Sequence, residues 1–256
     1  MNKMKTGHKS TEKDTALFES RLQNRLTIAV DLIREFGPKK FMGKILPWHF
    51  SRKYTFYSMD LPSLQEASLL SVPPIKPPGL SDFRLELATE SDVAHIMAAR
   101  PHFYSQEQIR IRIQAGHMCF IGWIKDEPVH LRWHFIRSLY LPYLKRTLRI
   151  GAQEVWADEG YTKPGYRRSG IFAFAGALIT QALAEMNYQR LSCAFASWNI
   201  TPRRIDEERG MKPVGEIIYR KYFGHHIYSS SGRIREYAGE IIEIEGETLQ
   251  DTNQQL

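Results

Sequence analysis

The chain has 256 residues, 43% of them apolar, which is enough for one large domain or a medium domain with an extension and excludes a disordered chain. Its two cysteines, Cys119 and Cys193, lie in apolar stretches, so we expect buried, reduced thiols and neither a disulfide nor a metal site. There is no long uncharged apolar run and no signal-peptide core. We therefore expect no membrane span and a cytoplasmic location.

The net charge of +7 lies in the first 57 residues, which hold 12 Lys and Arg against 5 Asp and Glu. Apolar residues at helical spacing predict a helix over Ala16–Phe36, which Gly37-Pro38 ends. Basic and aromatic residues then alternate over Lys39–Lys53. The segment 16–57 could pack on the main domain, lie on an anionic membrane surface or bind nucleic acid, and the pattern leaves all three open.

A proline-rich stretch separates this basic segment from the main domain. Tyr54–Leu61 has the composition of a strand, whereas the four prolines within Ser71–Gly79 exclude regular structure. The sequence thus predicts an N-terminal extension at 1–80, a main domain at 81–238 and an acidic, polar tail at 239–256.

The first half of the main domain alternates strands and helices. The predicted elements are a strand at Phe83–Leu87, a helix beginning at Val93, a helix at Gln106–Ala115 and two strands, Met118–Ile124 and Val129–Phe135. In the last of these, His130 is interpreted as a hydrogen-bonded strand residue rather than a ligand. Trp133 could pack in the core or line a pocket.

The central stretch of the chain is Tyr161–Phe172. A strand at Gln153–Ala157 precedes it, Pro164-Gly165 breaks that strand, and apolar residues at helical spacing follow Ser169. The free N–H groups of a helix start carry partial positive charge, and Arg167 and Arg168 add two full charges there. The pattern predicts a phosphate or pyrophosphate site, but it fits neither the P-loop nor the dinucleotide fingerprint.

Downstream, Arg190–Ala196 and Met211–Phe223 are predicted strands, and a last strand is predicted at Ile234–Tyr237. A short helical piece lies between Asn199 and Gly210. The pair His225-His226 has no other clustered ligands, so no metal site is expected.

The motif Thr162-x-Pro164-x-Tyr166-Arg167-x-x-Gly170-Ile171 resembles the V-x-P-x-Y-R-G-x-G-I signature of the GNAT acyltransferase superfamily. The segment from Asn199 to Gly210 is similar to that family's N-x-x-A-x-x-x-Y-x-x-x-G-F segment. The resemblance implies an α/β fold of the α+β type, with a mixed, mostly antiparallel sheet flanked by helices. It also implies transfer of an acyl group from acyl-coenzyme A, most often acetyl-CoA, to an amine, without a metal.

The resemblance further implies which residues hold the cofactor. The strand at the start of the motif would pair with pantetheine, the turn and helix start would hold the pyrophosphate, and the second segment would add contacts. These residues are Tyr161, Thr162, Arg167, Arg168, Ser169, Gly170, Ile171, Phe172, Asn199 and Arg203. For Asn199, capping of the following helix is the structural alternative.

The candidate catalytic residues are two carboxylates and a tyrosine. Glu159 is favoured over Asp158 as the base that takes the amine proton, and strand alternation predicts these two on opposite faces. Either could equally be a solvated carboxylate at a strand end. Tyr166, or alternatively Tyr161, could protonate the leaving thiolate.

Two residues depart from the family pattern. Phe172 stands where a Gly or Ala is usual, and Asp206 stands where many members carry a proton-donating Tyr. We therefore expect either an N-acyltransferase acting on a small amine or amino sugar, or a catalytically weak acyl-CoA-binding protein whose basic arm docks on membrane or nucleic acid.

Overall fold

The computed structural model describes residues 51–63, 77, 79–101, 103–222, 225–237 and 241–244. Within these ranges the chain forms twelve strands and four α-helices. The strands are β1 (Ser51–Asp60), β2 (Phe83–Leu87), β3 (Met118–Ile124), β4 (Glu127–Phe135), β5 (Ser138–Leu141), β6 (Arg146–Arg149), β7 (Glu154–Thr162), β8 (Arg190–Ala196), β9 (Lys212–Tyr222), β10 (His225–Gly232), β11 (Ile234–Tyr237) and β12 (Ile241–Ile244). The helices are α1 (Val93–Ala99), α2 (Gln106–Gln114), α3 (Ile171–Glu185) and α4 (Ile200–Glu208).

Eight strands form the main sheet, in the order β10-β9-β1-β8-β7-β4-β3-β2. Every neighbouring pair is antiparallel except β7 and β8, which run parallel because α3 connects them. A smaller sheet has the order β11-β12-β6-β5. The predicted α+β class, with a mixed and mostly antiparallel sheet, is confirmed.

The strand β1 is a central strand of the main sheet. It lies between β8 and β9 and pairs with both, for example through Tyr57 and Cys193. Residues 51–60 therefore belong to the main sheet and not to an extension that precedes it. At the other end, β12 pairs with β6, so residues 241–244 of the predicted tail are a strand.

The N-terminal predictions are tested only in part. The helix predicted at 16–36 lies outside the described residues. Residues 16–50 of the segment considered for membrane or nucleic-acid contact also lie outside them. The remainder of that segment, 51–57, lies within β1. No helix among the described residues is long and apolar enough to cross a membrane.

Strand alternation divides the core between the two faces of the main sheet. On one face, Trp133 and Trp156 pack with α1, α2 and the smaller sheet; we call this the α1/α2 face. On the other, Val155 and Cys193 pack against α3, and we call this the α3 face. Both cysteines are buried and unbridged, as expected.

Candidate functional site

The start of α3 is an open helix end. The chain reaches it through a short 3₁₀ turn at Pro164–Tyr166, and Gly170 has φ of +83° at the N-cap position. A side chain there would strain the backbone at this positive φ, and its Cβ would lie 3.1 Å from Cγ of Pro77. Glycine therefore suits this position. No side chain caps the helix, and the Ser169 hydroxyl donates to the Tyr166 carbonyl instead (2.6 Å).

Two arginines flank this helix end, as the sequence predicts. Arg167 and Arg168 are both exposed, and Nε of Arg167 donates to the Thr162 carbonyl (3.1 Å). Arg168 has φ of +65°. Uncapped N–H groups, the helix dipole and two guanidinium groups together favour an anionic ligand.

Tyr166 fastens this turn to the β3–β4 hairpin. Its hydroxyl donates to Glu127 (2.6 Å), which also accepts from Nζ of Lys163 (2.9 Å). The hydrogen bond to Glu127 raises the pKa of the Tyr166 hydroxyl. The Tyr161 ring lies beside the guanidinium groups of Arg100 and Arg167. Neither tyrosine lines the cavity described next.

Strands β7 and β8 separate midway along their length. Their parallel pairing covers Glu154–Trp156 and ends there. Farther along β7, the pairing with β4 shifts register opposite Arg132, and Glu159 has φ of +52°. This β-bulge turns the strand away from its neighbour and opens the sheet.

A cavity of about 200 Å³ lies in this opening. Its lining residues come from β4, β7, β8, the start of α3 and the start of α4. They are Arg132, Ala157, Asp158, Glu159, Gly160, Phe172, Cys193, Ala194, Phe195, Asn199 and Pro202. Because they belong to both faces of the sheet, the cavity connects the α3 face with the α1/α2 face.

Glu159 is held by two partners on the α1/α2 face. Its carboxylate accepts from both terminal nitrogens of Arg112 (2.6 and 3.1 Å) and from the Tyr104 hydroxyl (2.7 Å). Asp158 pairs directly with Trp133 and lies on the same face. The prediction that the two carboxylates face opposite sides is therefore wrong, because the bulge interrupts the alternation.

We expect Glu159→Gln to act on stability. Removal of the charge weakens a bidentate ion pair and a third hydrogen bond, so the free energy of unfolding should fall by about 1.5–3 kcal/mol. Urea denaturation measures the loss. The exposed Glu107→Gln on α2 is the control, and an equal effect of both changes would contradict a clamping role for Glu159.

Asp158 is the carboxyl group with an unusual proton affinity. Burial, followed by the neighbouring charge of Glu159, raises the pKa of Asp158 to about 7. Its Oδ1 accepts the Glu159 N–H (2.7 Å), which opposes part of that rise. A carboxyl group that titrates near neutrality inside a cavity can take up a proton from a bound ligand.

Asp206 joins two arginines behind the cavity. It is fully buried and accepts from Nη2 of Arg132 (2.9 Å) and Nη1 of Arg209 (2.7 Å). Arg209 also donates to the Gly176 carbonyl and the Thr180 hydroxyl of α3. Asp206 is therefore an acceptor in an ion network and not a counterpart of the proton-donating tyrosine.

Of the remaining predicted cofactor residues, Asn199 and Phe172 line the cavity, whereas Ile171 is buried in the core. Asn199 lines the cavity at the N-cap of α4, but its side chain caps nothing there, which removes the capping alternative. Phe172 lies over Gly160 and under the guanidinium of Arg132. Arg203, on the first turns of α4, pairs with Glu207 at 3.7 Å.

Two other interpretations can be compared with the structure. His130 is buried, and its Nδ1 lies 2.9 Å from the Thr162 hydroxyl, in agreement with a structural role. Burial lowers the pKa of His130 to about 3. Trp133 is fully buried and packs in the core beside Tyr104. Among the described residues, no cluster of three or more His, Cys, Asp or Glu could hold a metal.

No protein-family model and no curated protein matches the chain. Solved structures similar to it include GCN5-related N-acetyltransferases from Sphaerobacter thermophilus (11% identity, TM-score 0.45, 71% of this chain) and Kribbella flavida (15%, 0.42, 67%). The chain spans 56% and 60% of their lengths. An aminoglycoside acetyltransferase from an uncultured soil metagenomic sample, in complex with sisomicin, is 13% identical (TM-score 0.39) over 58% of this chain and 96% of its own.

Sequence reasoning missed Arg132, which lies in a strand with no motif around it. Its partner Asp206 is 74 residues away along the chain, so no local pattern joins them. The bulge at Glu159 had a usable signal: a single glycine, Gly160, follows inside a strand pattern.

Proposed function

We propose that this protein transfers an acyl group, acetyl in the first instance, from acyl-coenzyme A to the nitrogen of a small amine or amino sugar. The observation that supports this most is the cavity through the opened sheet, which has an open, arginine-flanked helix end at one side and a carboxyl group of pKa about 7 in its wall.

The donor would bind from the α3 face. A diphosphate at the start of α3 would accept from the N–H groups of Ser169 to Phe172 and meet Arg167 and Arg168. The unpaired edge of β7 beyond Trp156 leaves backbone groups that an extended, amide-containing arm such as pantetheine could pair with. That arm would run past Asn199 into the cavity and carry the thioester with it.

The acceptor would meet the thioester from the α1/α2 face, where Asp158 lies. A neutral amine must lose one proton as its nitrogen bonds to the acyl carbon, and Asp158 is the group we assign as the general base that takes it. Glu159 is already committed to Arg112 and Tyr104, so its role is to position Arg112 and to raise the proton affinity of Asp158. Tyr166 belongs to the turn that holds the diphosphate.

Release of free thiol from acetyl-CoA in the presence of an amine panel tests this proposal. The panel should include polyamines, amino sugars and amino acids, with the corresponding alcohols as controls. We expect amine-dependent thiol release that is abolished by desulfo-CoA in excess. Absence of thiol release with every amine would contradict the transferase proposal.

A second candidate is a catalytically weak acyl-CoA-binding protein. It is favoured by one observation: among the described residues that line the cavity there is no tyrosine, serine, threonine, histidine or lysine. Saturable CoA binding with no thiol release for any acceptor would support this candidate over the enzyme.

A further inference from the structure

The cavity offers few groups that could assist a departing sulfur. Of its lining residues, those with side-chain N–H donors are Arg132 and Asn199, and the thiol of Cys193 is a weak donor whose pKa burial raises. The hydroxyl of Tyr166 is engaged with Glu127 outside the cavity. Among the described residues that line the cavity, no tyrosine is present to protonate a leaving thiolate.

Arg132 is built into the cavity wall. Its side chain is 5% exposed, its guanidinium lies 4.9 Å from the centre of the Phe172 ring, and Nη2 donates to Asp206. One carboxylate oxygen of Asp206 accepts a hydrogen bond from Arg132, and the other accepts one from Arg209. Arg209 therefore holds Asp206 in place, and Asp206 in turn positions the guanidinium of Arg132. Burial opposes the charge on Arg132, but Asp206 outweighs it and raises the pKa of the guanidinium, which stays charged.

Arg132 and Asp158 approach the cavity from opposite faces of the sheet. Asp158 pairs with Trp133, whose side chain is in the core of the α1/α2 face. Arg132 precedes Trp133 in β4, so its side chain leaves the strand on the α3 face. A base on one face and a cation on the other fit a displacement in which the nucleophile enters from one side and the leaving group departs on the other.

Among the described residues, the charges around the cavity also balance for such a reaction. The charged groups in this part of the chain are Arg132, Asp206 and Arg209 on one side and Asp158, Glu159 and Arg112 on the other; Cys193, His130 and His134 are neutral. With Asp158 ionised these charges cancel. When Asp158 accepts a proton the cluster becomes +1, which matches the −1 of a newly formed thiolate.

We infer that Arg132, positioned by Asp206, is the catalytic residue that stabilises the coenzyme A thiolate as it leaves; the inference rests on the proposed acyl transfer. The amine nitrogen forms the new bond to the acyl carbon, the amine proton goes to Asp158, and the carbon–sulfur bond breaks with its electron pair on sulfur. Arg132 donates N–H hydrogen bonds to that sulfur, and the thiolate takes its proton from solvent after release.

The pKa of the bound coenzyme A thiol tests the inference without turnover. The ultraviolet absorbance of the thiolate is followed against pH with CoA bound to the wild-type protein, to Arg132→Gln and to the exposed control Arg204→Gln. We expect the wild type and the control to lower the thiol pKa by about 1 or more relative to free CoA, and Arg132→Gln to abolish that shift. An unshifted thiol in the wild type, or an equal shift in all three proteins, would overturn it.

The separation of catalysis from binding supplies a second measurement. Arg132→Gln should lower kcat by about tenfold to a thousandfold with acetyl-CoA. It should leave the affinity for desulfo-CoA unchanged, because that analogue has no sulfur for the guanidinium to contact. An unchanged kcat, or an equal loss of kcat and of desulfo-CoA affinity, would contradict the assignment.

If Arg132→Gln does not fold, Arg132→Lys keeps the charge beside Asp206. It should give a smaller pKa shift than the wild type, and a full shift would contradict a role for the guanidinium. Wild-type protein that binds CoA but never transfers an acyl group would refute the proposed function, whereas transfer that is indifferent to Arg132 would refute this inference alone.

Discussion

Replacement of Asp158 by Asn is expected to lower kcat/KM for acyl transfer by about 10²–10⁴-fold, because the amide cannot accept the amine proton. Binding of desulfo-CoA should be unchanged, since Asp158 is not among the proposed contacts to the diphosphate. Steady-state thiol release and calorimetric titration measure the two quantities separately. The control is Asp126→Asn in the exposed β3–β4 turn, which should leave both unchanged.

The pH dependence of kcat/KM in the wild type is a second test of Asp158 as the general base. A base is active when deprotonated, and the pKa of Asp158 is about 7, so kcat/KM should fall as pH decreases through about 7 and level off above it. Asp158→Asn should remove that dependence from the residual rate. An unchanged profile in the variant would show that another group is the base.

Ionisation of Asp158 should also lower the stability of the folded protein in the absence of any substrate. The folded protein holds the Asp158 proton up to about pH 7, whereas the unfolded chain releases it near pH 4. Stability is therefore lost as pH rises between these values, and the loss persists above them. Asp158→Asn should be more stable than wild type above pH 7, by an amount of the order of a few kcal/mol that shrinks toward pH 4.

Asp206→Asn is expected to lower the free energy of unfolding by about 3–5 kcal/mol. The change leaves Arg132 and Arg209 buried side by side without their common counter-charge, and it loosens the attachment of α4 to both β4 and α3. Urea denaturation should show a lower midpoint with an unchanged m-value.

The matched control for that variant is Glu208→Gln, in the same helix. Glu208 pairs with Arg204 at 2.9 Å, but both side chains are exposed, so the loss should stay below about 1 kcal/mol. A loss for Asp206→Asn no larger than that for Glu208→Gln would mean that the network around Asp206 is solvated and would remove its proposed role in positioning Arg132.

Local patterns predicted the elements that bracket the site. The strand before Pro164-Gly165 is found as β7, and the helix after Ser169 begins at Ile171. Strands such as Phe83–Leu87 and Arg190–Ala196 have the predicted limits. These elements follow from the spacing of apolar residues and from Gly and Pro, which act over a few residues.

Features that depend on distant residues could not be predicted in this way. The position of β1 between β8 and β9 is set by pairing across 130 or more residues, for which Tyr54–Leu61 carries no signal beyond its strand composition. The different surroundings of Asp158 and Glu159 could not be predicted for a related reason. They depend on a bulge and on Arg112, a helix residue 47 positions earlier.

The most direct test of the central claim is a calorimetric titration with desulfo-CoA, which binds but cannot react. The claim predicts saturable binding with 1:1 stoichiometry, weakened at least about tenfold by the double change Arg167→Glu and Arg168→Glu, with Arg110→Glu on α2 as the exposed control. No saturable binding, or equal affinity in all three proteins, would contradict the claim that the start of α3 holds the diphosphate of an acyl donor.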